Sequence, residues 1–229
     1  MNVAIVVGAG SGTRLGGNRP KQFLELGGVP IIIHALRQFE RCLAINEIIA
    51  VLPAGETAGF SSQAQEFGLQ KLSRVVAGGK TRAQSVQCGL AVISEAEIVA
   101  VHDGVRPFVT TEEVGRVVEA AKARGAAVLV APVTDTIKEV EGGRIVGTAP
   151  RDKLRRALTP QCFHLEILRR AYEALDELEA AGVEVTDESF LVERLGVEIV
   201  AVEGSARNIK ITREEDLLLP ESLLKTLWA

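Results

Sequence analysis

The chain has 229 residues, 47% of them hydrophobic and 24% charged, with a net charge of −4. These values exclude extended disorder, collagen-like or low-complexity architecture and a general nucleic-acid binder. No apolar run approaches the roughly 20 residues that a membrane-spanning helix needs, so no membrane partner is expected.

The opening Met-Asn-Val-Ala-Ile-Val-Val runs straight into a glycine loop and reads as a first strand, not as a leader peptide. Short β-branched runs then alternate with helical segments. Strands are expected at residues 3–7, 47–52, 73–77, 98–102 and 127–133. Each is almost continuously apolar, as happens when helices cover both faces of a parallel sheet. Helices are expected at 30–41, opened by a proline, at 81–93, and from the capping box Thr110-Thr-Glu-Glu113 onward. This alternation implies an α/β fold: an open, mostly parallel, Rossmann-like sheet with helices on both faces. Its ligand site belongs beyond the carboxyl ends of the strands.

The alternation breaks after residue 133. Residues 136–140 and 144–148, joined by Glu141-Gly142-Gly143, read as a β-hairpin. It is too short and polar to stand alone, so 134–156 is taken as an arm inserted in a single domain of residues 1–229. A long helix at 165–181, a shorter one at 187–195, a strand at 198–202 and a second capping box, Thr212-Arg-Glu-Glu215, complete the chain. Cys42, Cys88 and Cys162, like the three histidines, are scattered. Buried reduced thiols in a cytoplasmic protein are expected, and a zinc site is not.

Chemistry is concentrated at the strand ends. Gly8-Ala9-Gly10-Ser11-Gly12-Thr13-Arg14-Leu15 follows the first strand. Its alternate glycines let backbone N–H groups form a nest for an anion, a phosphate above all. It is neither a dinucleotide fingerprint nor a Walker A loop. Arg14, Arg19 and Lys21 follow before any acid appears, and Pro20 pins the lysine. Gly78-Gly79-Lys80-Thr81-Arg82-Ala83-Gln84-Ser85 opens a helix after the third strand and suits close contact with a flat base. His102-Asp103-Gly104-Val105-Arg106-Pro107 ends the fourth strand. An aspartate there fits a ribose, a metal or a substrate hydroxyl, and equally a structural Asp–Arg pair.

Together with A-P-V-x-D-T-I-K, A-L-T-P-Q, T-D-E and N-I-K-I-T, these motifs resemble the 2-C-methyl-D-erythritol 4-phosphate cytidylyltransferases from residue 3 to residue 216. The departures are Gly8 in place of the usual alanine and Val105 for a common alanine, and neither removes a charge. The resemblance implies transfer of a cytidylyl group from CTP to a polyol phosphate, with Mg²⁺ and release of pyrophosphate. It implies that Arg14 and Lys21 stabilise the transition state. Gly8, Ala9, Gly10, Ser11 and Gly12 cradle phosphates, and Gly78, Gly79, Lys80 and Ser85 line the nucleoside. Lys210 and Arg151 position the attacking phosphate. Asp103, Arg106, Thr136, Thr159 and Thr186 contact the polyol or its phosphate, with Asp103 divided between that role and holding Mg²⁺. The arm, carrying Thr136 and Arg151, implies a homodimer with shared active sites. Ribitol 5-phosphate is the alternative acceptor. A non-catalytic nucleotide-binding domain need not keep Lys21, Arg151 and Lys210, and a nicotinamide dehydrogenase lacks its third glycine here.

Overall fold

The computed structural model describes residues 1–10, 20–212 and 216. The chain opens with β1 (Asn2–Val7), then a small ribbon of β2 (Glu25–Leu26) and β3 (Val29–Pro30) leads into α1 (Ile31–Arg41). There follow β4 (Glu47–Leu52), α2 (Phe60–Glu66), β5 (Leu72–Ala77), α3 (Arg82–Ala91), β6 (Ile98–Asp103), α4 (Thr111–Arg124) and β7 (Ala126–Pro132). The hairpin is β8 (Lys138–Glu141) and β9 (Arg144–Thr148). After it come β10 (Arg155–His164), α5 (Leu165–Tyr172), α6 (Leu175–Ala180), α7 (Glu188–Glu193) and β11 (Val200–Glu203).

Seven strands form one sheet in the order β11-β7-β10-β6-β1-β4-β5. All pairings are parallel except those of β10, which runs antiparallel between β6 and β7. Side chains alternate across the sheet. Ala4 and Val6 of β1 pack with Ile32, Leu36 and Phe39 of α1 and Val117 of α4. Val3, Ile5 and Val7 pack with Val86 and Leu90 of α3 and Leu168 of α5. Both faces are thus covered, which is why the strands read as unbroken apolar runs.

The expected strands and helices recur within a residue or two; the ribbon of β2 and β3 has no counterpart in the sequence analysis, and three larger differences stand beside it. The strand β10 has no counterpart in the sequence reading, because Arg155, Arg156, Pro160 and Gln161 argue against a central strand. Its ladder with β7 shifts between Ala157 and Gln161, so Pro160 falls at the irregularity. Buried Gln161 is satisfied by donating to Asp187 Oδ2 (2.9 Å) and accepting from the Ser189 N–H (2.9 Å). The helix α2 was also unanticipated; its buried residues are Phe60 and Ala64, one turn apart. The helix expected at 165–181 is two. The ladder breaks where the Glu173 N–H turns back to the Arg170 carbonyl (3.3 Å), and Tyr172 and Leu175 both reach the core. Thr110 and Glu113 form the expected capping box of α4. Of the second box, Thr212 donates from its N–H and hydroxyl to Asp216, while Glu215 lies outside the described residues.

The glycine in the middle of α3 sets how closely that helix sits on the sheet. A Cβ at Gly89 would lie 2.8 Å from Ile5 Cγ2 and 3.0 Å from Val51 Cγ2. Gly89→Val should therefore destabilise the protein by about 1–3 kcal/mol, read as a lower urea midpoint at unchanged m-value. An unchanged midpoint would mean that α3 can lift off β1 and β4 at no cost.

Candidate active site

The loops after β1, β5 and β6 end at one edge of the sheet. Each continues the ladder by one bond before it departs: Gly8 N–H to Val51 O (2.7 Å), Gly78 N–H to Leu52 O (2.8 Å) and Gly104 N–H to Val7 O (2.8 Å). Glycine is required where these loops touch. A Cβ on Gly78 would collide with Ala9 Cβ and lie 2.7 Å from Ser85 Oγ. Buried Gln22 donates to the carbonyls of Gly8 (2.6 Å) and Gly10 (3.1 Å), fixing the first loop from beneath. Lys21 occupies the short turn Lys21–Phe23 that Pro20 opens, and burial of Gln22 and Phe23 anchors that turn. The Thr81 hydroxyl accepts from the Gln84 N–H at the start of α3, and Ser85 Oγ accepts from the Gly79 N–H (3.2 Å).

Between these loops lies a cavity of about 570 Å³. Among the described residues, its charged lining is Lys21, Lys80, Arg82 and Lys210 against one carboxylate, Asp103. That excess of fixed cations suits a polyphosphate.

Asp103 is the point at which the cations meet. Its Oδ1 accepts from Arg82 Nε (2.8 Å), and its Oδ2 faces Lys210 Nζ (2.9 Å) and Arg106 Nε (3.5 Å). Burial pushes its carboxyl up, but Arg82, Lys210 and Arg106 outweigh that and hold it well below the usual carboxylate range. The guanidinium of Arg82 also grips buried Glu188 with both terminal nitrogens (2.7 and 3.0 Å), and the Tyr172 hydroxyl donates to Glu188 (3.1 Å).

Behind Asp103 stands His102, fully buried. Its Nε2 faces the Arg106 carbonyl (3.1 Å), which only accepts, so the proton sits on Nε2. Burial lowers its pKa to about 4, so the ring is neutral and Nδ1 accepts from the Thr159 hydroxyl (2.9 Å). Thr159 Oγ1 in turn accepts from the Asp103 N–H (3.1 Å). Asn208 completes the frame, donating to the Thr159 carbonyl (2.9 Å) while its own carbonyl accepts from Arg106 (2.9 Å).

Of the residues singled out in the sequence, Gly8, Ala9, Gly10, Lys21, Gly79, Lys80, Ser85, Asp103 and Lys210 line the cavity. Gly78, Arg106 and Thr159 stand immediately behind that lining. Ser11, Gly12 and Arg14 lie outside the described residues. Thr136 and Arg151 are exposed on the arm segment, where Arg151 donates to the Thr134 carbonyl (3.1 Å), and Thr186 is exposed before α7. Gln22, Arg82 and Glu188 were not anticipated as site residues. Gln22 directly follows Lys21, Arg82 stands within the Gly78–Ser85 segment and Glu188 closes T-D-E, but nothing in the sequence named their partners.

Asp103 does not fit the role of a Mg²⁺ ligand in this arrangement. Both of its oxygens are already paired with cations, and a divalent ion would add to that charge. No cluster of three or more His, Cys, Asp or Glu that could hold a metal occurs among the described residues.

A family model described as 2-C-methyl-D-erythritol 4-phosphate cytidylyltransferase (IspD) matches residues 2–226. The chain belongs to that family. Relatives of the same name from Syntrophus aciditrophicus and Acidobacterium capsulatum are 41% and 43% identical, over 97% and 96% of this chain and 95% and 96% of theirs. The solved cytidylyltransferase of Thermus thermophilus superposes with a TM-score of 0.78 at 34% identity, covering 96% of this chain and 98% of that one. The 4-diphosphocytidyl-2C-methyl-D-erythritol synthase of Anaerococcus prevotii gives 0.82 at 28% identity, covering 98% of both.

The buried ring of His102 makes stability depend on pH with a definite sign. Its folded pKa of about 4 lies below the ordinary value of 6.5, so the unfolded chain binds the proton first. The contribution is fully present above pH 6.5, and about 3 kcal/mol is lost as pH falls through that window. His34, lowered chiefly by burial, acts in the same direction. Urea midpoints should hold steady above pH 7 and fall between pH 6.5 and 4. His102→Gln should flatten part of that slope; an unaltered slope would locate the titration elsewhere.

Proposed function

We infer that this chain transfers the cytidylyl group of CTP to 2-C-methyl-D-erythritol 4-phosphate, giving 4-diphosphocytidyl-2-C-methyl-D-erythritol and pyrophosphate. The observation that carries the reading is a cavity lined by four fixed cations in a member of this family. The nucleophile is an oxygen of the acceptor's phosphate. Its second pKa is about 6, so it is already largely a dianion at neutral pH and needs no protein base. The cavity matches that requirement. Asp103 stays ionised and fully paired, and His102 is neutral, buried and turned toward the Arg106 carbonyl.

What the protein must supply is charge and alignment for two polyanions. In this reading the backbone from Gly8 to Gly12 cradles phosphates, and Arg14 and Lys21 face the charge that develops on the triphosphate. Gly78, Gly79, Lys80 and Ser85 hold the nucleoside. Lys210 holds the attacking phosphate, while Asp103, Arg106, Thr159 and Thr186 frame the acceptor. Mg²⁺ belongs with the triphosphate oxygens and water, which is where this ion keeps most of its shell. No helix among the described residues is long and apolar enough to cross a membrane, and with Cys42, Cys88 and Cys162 free the reading is of a cytoplasmic enzyme.

Pyrophosphate release from each of the four nucleoside triphosphates, against the methylerythritol phosphate and ribitol 5-phosphate, tests the reading. CTP with the methylerythritol phosphate should react. UTP should fail, because its O4 and N3–H reverse the cytosine pattern and leave buried groups unpaired. Equal turnover with UTP would overturn the base assignment, and preference for ribitol 5-phosphate would overturn the acceptor.

The arm bears on assembly. Ile137, Val140, Ile145 and Val146 on and beside the hairpin are 39–66% exposed, apolar surface that a second copy of the chain would cover. We propose a homodimer in which Thr136 and Arg151 serve the neighbouring subunit's site. Lys21→Ala should then cost about 10²–10³ in rate in its own site, and Arg151→Ala should damage the partner's. Co-refolding the two inactive variants in equal amounts should restore roughly a quarter of parental activity, as random pairing leaves one intact site in each mixed dimer. A mixture that stays inactive, with mixed dimers confirmed by mass, would return Arg151 to its own subunit.

A further inference from the structure

Glu188 is fully buried, does not itself line the cavity, and meets it through Arg82. A buried carboxylate needs partners, and both of Glu188's oxygens are taken by Arg82, with the Tyr172 hydroxyl as a third donor. The guanidinium is a rigid planar fork. Gripped end-on by Glu188, it can present its Nε–H in only one direction, and that direction is Asp103 Oδ1 at 2.8 Å. With Oδ1 fixed, the Asp103 carboxylate cannot rotate, and Oδ2 is held where it meets Lys210 Nζ at 2.9 Å.

Charge runs the same way as geometry. Arg82 is shared between two carboxylates, so Asp103 is left with negative charge to spend on Lys210. Were Glu188 neutral, Arg82 would direct its whole charge at Asp103 and repel the lysine beside it. Lys210 is the partner of Asp103 that reaches furthest into solvent, with its side chain 37% exposed, so it is the one that would shift.

We propose that Glu188 is a positioning residue for the cytidylyl transfer: through Arg82 and Asp103 it fixes the Lys210 ammonium against the attacking phosphate. Tyr172 is the outer end of the same chain. The inference rests on the reading of Lys210 given above. Glu188→Gln keeps the side chain's size and an acceptor for Tyr172 while removing the charge and half of the fork.

The test is a kinetic double-mutant cycle. Glu188→Gln should lower kcat about tenfold to a hundredfold, with the KM for CTP unchanged, at a temperature where the variant is folded by circular dichroism. In a Lys210→Ala background the same change should cost nothing further, because the group it positions is gone. Tyr172→Phe should show a smaller loss of kcat that also vanishes in the Lys210→Ala background; it carries the test if Glu188→Gln does not fold. A parental kcat in Glu188→Gln, or a loss that multiplies undiminished with that of Lys210→Ala, would overturn the proposal and leave Glu188 a fold-stabilising ion pair. Full activity of Lys210→Ala alone would instead overturn the role given to Lys210.

Discussion

Cations gathered on one side of a cavity repel one another, and something anionic must hold them there. In this chain that anion is Asp103, the last residue of β6. At a separation of 4 Å and an intermediate dielectric, two like charges cost about 4 kcal/mol. Arg82, Arg106 and Lys210 can therefore converge only around a carboxylate that faces all three. Of the four cations that line the cavity, Arg82 and Lys210 are thus held in place by this one buried carboxylate.

Asp103 is in turn fixed by groups that carry no net charge. The tautomer of His102, set by the Arg106 carbonyl, turns Nδ1 toward Thr159, and Thr159 accepts from the Asp103 backbone. Asn208 ties the same threonine to the loop that carries Lys210. Thr159 is contributed by β10, the antiparallel strand of the seven-stranded sheet, lodged against β6. The strand that breaks the parallel pattern is thus the one that steadies the site, and its proline sits at an irregularity of pairing and not in a regular ladder.

The phosphate side of the cavity rests on close packing. Gly78 admits no side chain, since Ala9 and Ser85 occupy the space a Cβ would need. Gln22 then supplies the hydrogen bonds that the Gly8 and Gly10 carbonyls would lack in a dry turn. The donor there is a neutral amide, which adds no charge to the cavity.

The sequence by itself determined the alternation of strand and helix, the Thr110 capping box, the glycine loops at the strand ends and the concentration of positive charge after β1. These are local: they depend on periodicity, on backbone freedom and on residues a few positions apart. It also raised a structural Asp–Arg pair at Asp103 as one reading among several, and the fold contains that pair twice over. Only the tertiary structure decided that β10 enters the sheet, because its buried Gln161 finds its partners in Asp187 and Ser189, which lie 26 and 28 positions away. It alone joined Arg82 to Glu188 across 106 positions, and Arg82 to Asp103 across 21. Ion pairs and buried hydrogen bonds select partners by proximity in the fold, and a chain carries no local mark of which distant residue will be near.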